Sequence, residues 1–304
     1  MRVRYKVVPK RPFSLARTGL RLARFCERVD RFEDGAYRRL VYVERKPVLL
    51  EVRQKGPPSK ATLLVTLRGE TARHPRARIE ARNVLDRVLG VRVGVRPFYD
   101  RFRDDALLAP WIGNHLELRV VGRLHVWETL LQIVLSQQIN LALAHGMLSD
   151  LVERFGRRAR IEGERWFVFP TPRRFAVLSV AELRACRLSR AKASTLIGLA
   201  RAFESGELSD ETLRDLADED AVELLMSFHG VGRWTAEFTL LRGLSRMDVF
   251  PAGDLGVIKY LAREISGQRA PAPEADMRRF AERWRPYRGL ALIYAYAELA
   301  ARQR

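Results

Sequence analysis

The residues best suited to do chemistry lie in one stretch, which begins with HGVGRWT at 229–235 between two segments of helical periodicity. Gly230 and Gly232 permit the positive φ values that a tight turn requires, and they let a phosphate approach the backbone closely. The N–H groups at the start of the next helix, together with Arg233, would form an anion site. A plain corner between two helices explains the same glycines, so the residues alone leave both interpretations open.

An aspartate follows this stretch at a position where its carboxylate can act. Asp254 comes after FPAG at 250–253 and directly before a predicted helix that starts at Leu255. This is an N-cap position, which aspartate favours for local reasons. The same carboxylate, if it faces a cleft, can stabilise a positive charge that develops during a reaction.

Composition indicates a polyanionic partner and argues against a metal cluster. Lys plus Arg is 55 and Asp plus Glu is 36, which gives a net charge of +19. A surplus of this size favours phosphate binding, although a generally arginine-rich proteome would produce it too. The only cysteines, Cys26 and Cys186, are not arranged as metal ligands, and we expect two free buried thiols. We find neither an apolar run of membrane-spanning length nor a signal peptide, so we expect a cytoplasmic protein associated with the nucleoid.

Two domains of an α+β protein must position these residues. Residues 1–95 are predicted to form a small antiparallel sheet with helices on one face. Its strands lie at 3–8, 36–43, 48–52 and 61–67, and a helix covers 15–32. Residues 96–304 are predicted to be entirely helical, with the helix–hairpin–helix at about 222–242. A long helix at 127–155 is expected to bend at Gly146, and Ser189 is expected to cap another.

Several strings resemble the helix-hairpin-helix glycosylase superfamily, and within it the 3-methyladenine DNA glycosylase II family. That family has a G-[IV]-G-R-W-T-A hairpin followed by D-V-F-x-x-x-D, as in HGVGRWTAEF at 229–238 and DVFPAGD at 248–254. The resemblance extends to LLQIVLSQQI at 130–139, LSRAKASTLIGLARAF at 188–203, AERWRPYRGLALIYAY at 281–296, and RPFSLARTGLRLARF at 11–25.

The resemblance implies an enzyme of base excision repair that hydrolyses the N-glycosidic bond of 3-methyladenine or 7-methylguanine. Asp254 would be the essential aspartate, and Asp248 would have a structural role. Bifunctional relatives carry a nucleophilic lysine in the hairpin, where this chain has Trp234. We therefore expect a monofunctional enzyme that leaves an abasic site. Lys192 and Lys259 do not match the nucleophile's position and are interpreted as solvated helix lysines.

The same resemblance implies residues that would contact the damaged base. Trp234, Phe238 and Tyr287 would line an aromatic pocket, which suits a cationic alkylated base. Gln138 would fill the gap that a flipped base leaves in the duplex. Core packing and a surface polar residue are the alternatives for these positions.

The remaining implied contacts are with double-stranded DNA. The DNA-binding residues would be Gln138, Gly230, Gly232, Arg233 and Thr235. We expect no cofactor and no catalytic metal, although the family often holds a structural monovalent cation on hairpin carbonyls. We expect a monomer.

Two other functions remain open. An 8-oxoguanine glycosylase of the same superfamily shares the QQI segment and the sheet domain, but the missing hairpin lysine argues against it. A non-catalytic DNA-binding protein would use the hairpin as a phosphate clamp, but Asp254 and the aromatic residues argue against that.

Overall fold

The computed structural model describes residues 1–266 and 272–302, and it confirms the predicted α+β class. Five antiparallel strands form the main sheet in the order β1-β5-β4-β3-β2. Their bounds are β1 Arg2–Val7, β2 Arg31–Glu33, β3 Ala36–Val43, β4 Lys46–Lys55 and β5 Thr62–Gly69. The tight turn between β3 and β4 places Glu44 and Arg45 at positive φ, as the hairpin geometry requires.

Other elements pack on both faces of the sheet, whereas helices on one face only were predicted. One face packs on helices α1 (Leu15–Ala23) and α2 (Pro75–Asn83). On the other face Trp166 packs against Leu40 and Leu49. Trp166 belongs to a hairpin of β6 (Arg158–Ile161) and β7 (Glu164–Phe167). The second part is mainly helical, as the predicted fold class states, but the prediction of an all-α domain at 96–304 missed this hairpin, which packs on the sheet.

The first helix is shorter than the predicted span 15–32. It ends at Ala23, and the chain then turns through Cys26 and Val29 before entering β2. The turn brings the carboxylate of Asp30 into the interior, where it is 0% exposed. A continued helix would not place Asp30 against the arginines that neutralise it.

Among the described residues after 95, the regular elements other than the β6–β7 hairpin are helices. Before β6 lie α3 Arg96–Arg101, α4 Leu108–Asn114, α5 Val126–Ser136 and α6 Leu141–Phe155. After β7 follow α7 Pro172–Ala176, α8 Val180–Arg184, α9 Arg190–Ser205, α10 Asp210–Asp215, α11 Asp218–Met226, α12 Arg233–Gly243, α13 Ala262–Ser266, α14 Glu274–Ala281 and α15 Arg288–Arg302. The predicted cap on α9 is confirmed, since the Ser189 hydroxyl accepts from the N–H of Lys192. Within the described ranges, no helix is long and apolar enough to cross a membrane.

The predicted long helix at 127–155 is two helices, and the break is not at Gly146. It lies at 137–140, where Gln138 has φ +54° and Asn140 caps α6. Gly146 lies inside α6 without interrupting it. The break is stabilised because the Asn140 side chain accepts from the N–H of Leu143 at 2.8 Å.

A buried ionic cluster joins the sheet to the helical part. The Asp30 carboxylate accepts from Arg39 at 2.9 Å and from Arg123 at 2.5 Å. Arg39 also donates to Glu128 on α5 at 2.8 Å. The four side chains are between 0% and 7% exposed, so each charge depends on its partners.

Candidate active site

The hairpin between α11 and α12 is built on one glycine with positive φ. Gly230 has φ +81°, and a Cβ there would lie 2.0 Å from Oγ1 of the buried Thr195 on α9. Gly232 differs from the prediction, because it has φ −92° and ψ 172° and nothing lies within 4 Å of its Cβ position. Gly230 therefore forms the turn, and Gly232 leaves open space at the start of α12.

This open space faces the N-terminus of α12. Gly232 is the N-cap and provides no side-chain acceptor, so the first N–H groups of the helix are left for an external one. Arg233 is already engaged, because its guanidinium donates to Glu219 at 2.5 Å. Thr235 is only 2% exposed, and its hydroxyl accepts from Gln137 Nε2.

Three donors hold the carboxylate of Asp254, which is partly exposed. Trp234 Nε1 donates to Oδ2 at 2.8 Å, and the N–H of Gly256 donates to Oδ1 at 2.8 Å. The hydroxyl of Tyr296 on α15 also donates to Oδ1. The Gly256 contact is the expected helix cap, and the other two donors come from distant elements, so the carboxylate has a fixed orientation.

Tyr296 is a site residue that the sequence analysis missed. Burial and the neighbouring Asp254 charge raise the pKa of Tyr296 well above its usual value. Its hydroxyl therefore stays protonated and remains a donor to the carboxylate. The only signal was its place in the string at 281–296, where Tyr294 and Tyr296 are two apart and so lie on different sides of a helix.

The predicted aromatic residues separate into two groups. Trp234 and Phe238, one turn apart on α12, meet edge to face with ring centroids 5.2 Å apart. Tyr287 lies edge to face against Phe98 at 5.7 Å. Trp234 is the one that donates a hydrogen bond to Asp254. All belong to or border one apolar cluster.

An arginine lies one turn further along α12. The guanidinium of Arg242 is 4.9 Å from the ring centroid of Phe25 and 5.7 Å from that of Phe238. Burial and the nearby Arg123 lower the pKa of Arg242 to about 10, while Tyr296 and Asp254 act in the opposite direction. Arg242 was not predicted to be a site residue. It follows Phe238 by four positions and therefore lies on the face of α12 that carries Trp234.

The loop at 137–140 is tied to the hairpin and to α9. Gln137 Nε2 donates to the Gly230 carbonyl at 3.1 Å and to the Thr235 hydroxyl at 2.9 Å. Gln138, the predicted wedge, is exposed. The loop thus presents Gln138 outward while its neighbour fixes its distance from the hairpin.

Lys192 is not the solvated lysine that was predicted. Its Nζ donates to the carbonyls of Leu135 at 2.7 Å and Gln137 at 2.8 Å, and burial lowers its pKa. The free carbonyls at the end of α5 account for this position. Lys259 is exposed, as predicted. Asp248 accepts from Arg288 Nε at 3.0 Å and has the expected structural role.

Both cysteines have the state that was expected for them. Cys26 and Cys186 are free and buried. No group of three or more His, Cys, Asp or Glu able to hold a metal ion occurs within residues 1–266 and 272–302.

Comparisons with known proteins give one family. Residues 131–286 match the family model described as HhH-GPD superfamily base excision DNA repair protein. A DNA-3-methyladenine glycosylase of Bacillus subtilis is 33% identical over 67% of this chain and 67% of its own length. DNA-3-methyladenine glycosylase 2 of Escherichia coli is 33% identical over 59% of this chain and 60% of its own. The solved 3-methyladenine DNA glycosylase from Archaeoglobus fulgidus superposes with a TM-score of 0.81 at 25% identity, covering 96% of this chain and 97% of that one.

Proposed function

The chain belongs to the HhH-GPD superfamily of base excision DNA repair proteins, and within it to the 3-methyladenine DNA glycosylase II family, and we propose that it releases alkylated purines such as 3-methyladenine and 7-methylguanine from duplex DNA. The observation that carries this proposal is the Asp254 carboxylate, held by Trp234, Gly256 and Tyr296 beside aromatic side chains.

Asp254 would act mainly as a fixed negative charge. When the bond between C1′ and N9 breaks, its electron pair leaves with the base and positive charge develops on the sugar. A carboxylate that is already oriented stabilises this charge without reorganising. Three donors occupy three of its roughly four lone-pair positions. The remaining lone pair would orient the water that adds to C1′.

The reaction would stop at the abasic site. Strand cleavage by bifunctional glycosylases requires an amine that attacks the sugar and forms a Schiff base. The hairpin has Trp234 at that position, and its indole N–H is used on Asp254. Lys192 is held by two backbone carbonyls, and Lys259 points to solvent.

Two surfaces would grip the DNA. The N-terminus of α12, with Gly230 and Gly232 before it, would bind a phosphate. Gln138 would enter the duplex and occupy the place of the flipped base. Gln137 connects these two surfaces by hydrogen bonds. The distance between the bound phosphate and Gln138 would therefore be fixed.

Oligomeric state, location and cofactor requirement follow from the same proposed function. We propose that it acts as a monomer on chromosomal DNA in the cytoplasm and needs no cofactor. A monovalent cation on hairpin carbonyls would be structural. It would share them with existing donors, because the carbonyls of Phe228 and Gly230 already accept from Val231 and Gln137.

One assay tests this function against its alternatives. Duplexes that contain a methylated purine, 8-oxoguanine or no lesion are incubated with enzyme and analysed before and after alkali. Release of methylpurine with strand breaks only after alkali is expected, and borohydride should trap no enzyme–DNA adduct. Cleavage without alkali on 8-oxoguanine would identify the other branch. Binding without any base release would identify a non-catalytic protein.

A further inference from the structure

Arg242 provides a hydrogen-bond donor beside the proposed reaction centre that the mechanism does not use. It lies on α12, four residues after Phe238 and eight after Trp234, so the three share one face of the helix. Its guanidinium lies over the rings of Phe25, at 4.9 Å, and Phe238, at 5.7 Å. Asp254 and Tyr296 are close enough to influence its pKa. Because Phe238 packs on Trp234, Arg242 borders the site.

This donor has no partner of its own. Nε of Arg242 is buried and finds no acceptor among the described residues. No described carboxylate lies within 4 Å of the guanidinium in an ion pair, unlike that of Arg123, which binds Asp30. A buried donor without an acceptor is costly, and a ligand oxygen would remove that cost.

Further basic side chains lie near Arg242. Arg21 on α1 is near enough that burial, and then Arg242, lowers its pKa to about 9. Burial and then Arg123 and Arg242 also lower the pKa of His145, whose ring meets Phe25 edge to face at 5.5 Å. This region favours an electron-rich acceptor and disfavours an amino group.

We propose that Arg242 donates a hydrogen bond to the oxygen at C6 of the flipped purine, so that the enzyme favours 6-oxopurine lesions over 6-aminopurine lesions. The inference rests on the proposed function, since it assigns the substrate preference of that same site. 7-Methylguanine and hypoxanthine present a carbonyl oxygen at C6. 3-Methyladenine presents an amino group there, which would meet a second donor and leave the guanidinium unpaired.

A phosphate is the other oxygen-rich group that a flipped nucleotide carries. The position of Arg242 favours the base, because its Nε is shielded from solvent and its guanidinium lies next to two aromatic rings. The DNA backbone remains outside such a pocket, whereas the base enters it. The two contacts also predict different effects on binding to undamaged DNA.

The test is a competition within one substrate. DNA treated with a methylating agent contains 7-methylguanine and 3-methyladenine together, so their ratio of release is independent of how much enzyme is folded. Arg242→Met keeps an unbranched side chain next to the two rings and removes the donor. We expect release of 7-methylguanine to fall about ten- to hundredfold relative to 3-methyladenine, the range for a charge-assisted hydrogen bond. A hypoxanthine duplex should show the same loss.

Two further variants separate the hydrogen bond from the charge. Arg242→Lys keeps the charge but not the planar donor, and it should recover only part of the ratio. Arg21→Met removes a neighbouring charge and leaves Arg242 in place, so its ratio should stay within about threefold of the wild type. An equal shift in Arg21→Met would overturn the proposal in favour of a general field effect.

Three other outcomes would refute the proposed role of Arg242. An unchanged ratio in Arg242→Met refutes the assignment of Arg242 while leaving the proposed function intact. A uniform loss on all lesions, with weaker binding to undamaged duplex, would mean that Arg242 contacts phosphate and would also refute it. A wild-type enzyme that releases no methylpurine at all would instead refute the proposed function, and this proposal with it.

Discussion

Substituting alanine at the two hairpin glycines should separate protein stability from DNA binding. Gly230→Ala places a Cβ at φ +81° and 2.0 Å from Oγ1 of Thr195. Gly232→Ala places a Cβ at φ −92° with nothing within 4 Å. The two variants have the same composition, so any difference between them arises from their positions in the hairpin.

The structure gives the size of each effect. A left-handed φ costs a non-glycine residue about 1–2 kcal/mol, and displacing the buried Thr195 side chain adds to it, so Gly230→Ala should destabilise the protein by about 2–4 kcal/mol. For Gly232→Ala, the loss of a favoured N-cap costs about 0.5–1 kcal/mol. The reduced freedom of the unfolded chain returns about 0.4–1 kcal/mol. Its stability should therefore stay close to that of the wild type.

Gly232→Ala should weaken DNA binding although it leaves stability nearly unchanged. A methyl group there occupies the space through which a phosphate would approach the N–H groups of α12. We expect about tenfold weaker binding to both undamaged and abasic duplex, because a phosphate contact does not depend on the lesion.

The assays are thermal unfolding and affinity for the two duplexes at fixed salt. Gly230→Ala should melt several degrees lower, and adding Thr195→Ala should recover the steric part of the loss in a double-mutant cycle. If Gly232→Ala binds DNA as tightly as the wild type, the hairpin is only a connector between helices. If Gly230→Ala is as stable as the wild type, our account of the turn is wrong.

Three further substitutions test other parts of the site. Asp254→Asn should nearly abolish base release in single turnover while keeping DNA affinity, since the swap keeps the shape and removes the charge; wild-type rates would refute its role. Tyr296→Phe removes a donor to a charged group worth about 1.5–3 kcal/mol, so release should slow by about tenfold or more. Tyr294→Phe is the matched control, because that hydroxyl donates to the Leu118 carbonyl instead, and an equal loss in both variants would indicate packing alone. Gln138→Ala should slow excision from duplex more than from single strands, and an equal slowing on both would remove the wedge role.

The sequence predicts most of the fold, and the misses have local causes. The strands of the main sheet could be found because their apolar residues and turn residues agree. The β6–β7 hairpin was missed although Glu162-Gly163 is a two-residue turn of the kind that joins antiparallel strands. The break at 137–140 carries no glycine or proline. It depends on Asn140 as a cap and on Lys192, which lies far away in the sequence.

The site could be predicted where a motif lies in one segment. Trp234 and Asp254 were found because they belong to the hairpin and the segment that follows it, and the structure joins them by a hydrogen bond. Tyr296 and Arg242 were missed because their significance arises from contacts with distant segments: Tyr296 with Asp254, and Arg242 with Phe25. Periodicity indicates which residues share a helix face, but it does not tell which distant carboxylate or ring lies opposite.

The buried cluster of Asp30, Arg39, Arg123 and Glu128 has a consequence for how the protein can be divided. A cut between residues 95 and 96 would leave two of the four charges on each fragment, and a buried charge without its partner costs about 3–5 kcal/mol. Neither fragment would keep this arrangement alone. We expect the two fragments to bind each other when they are produced together, because association would restore the partners of each charge.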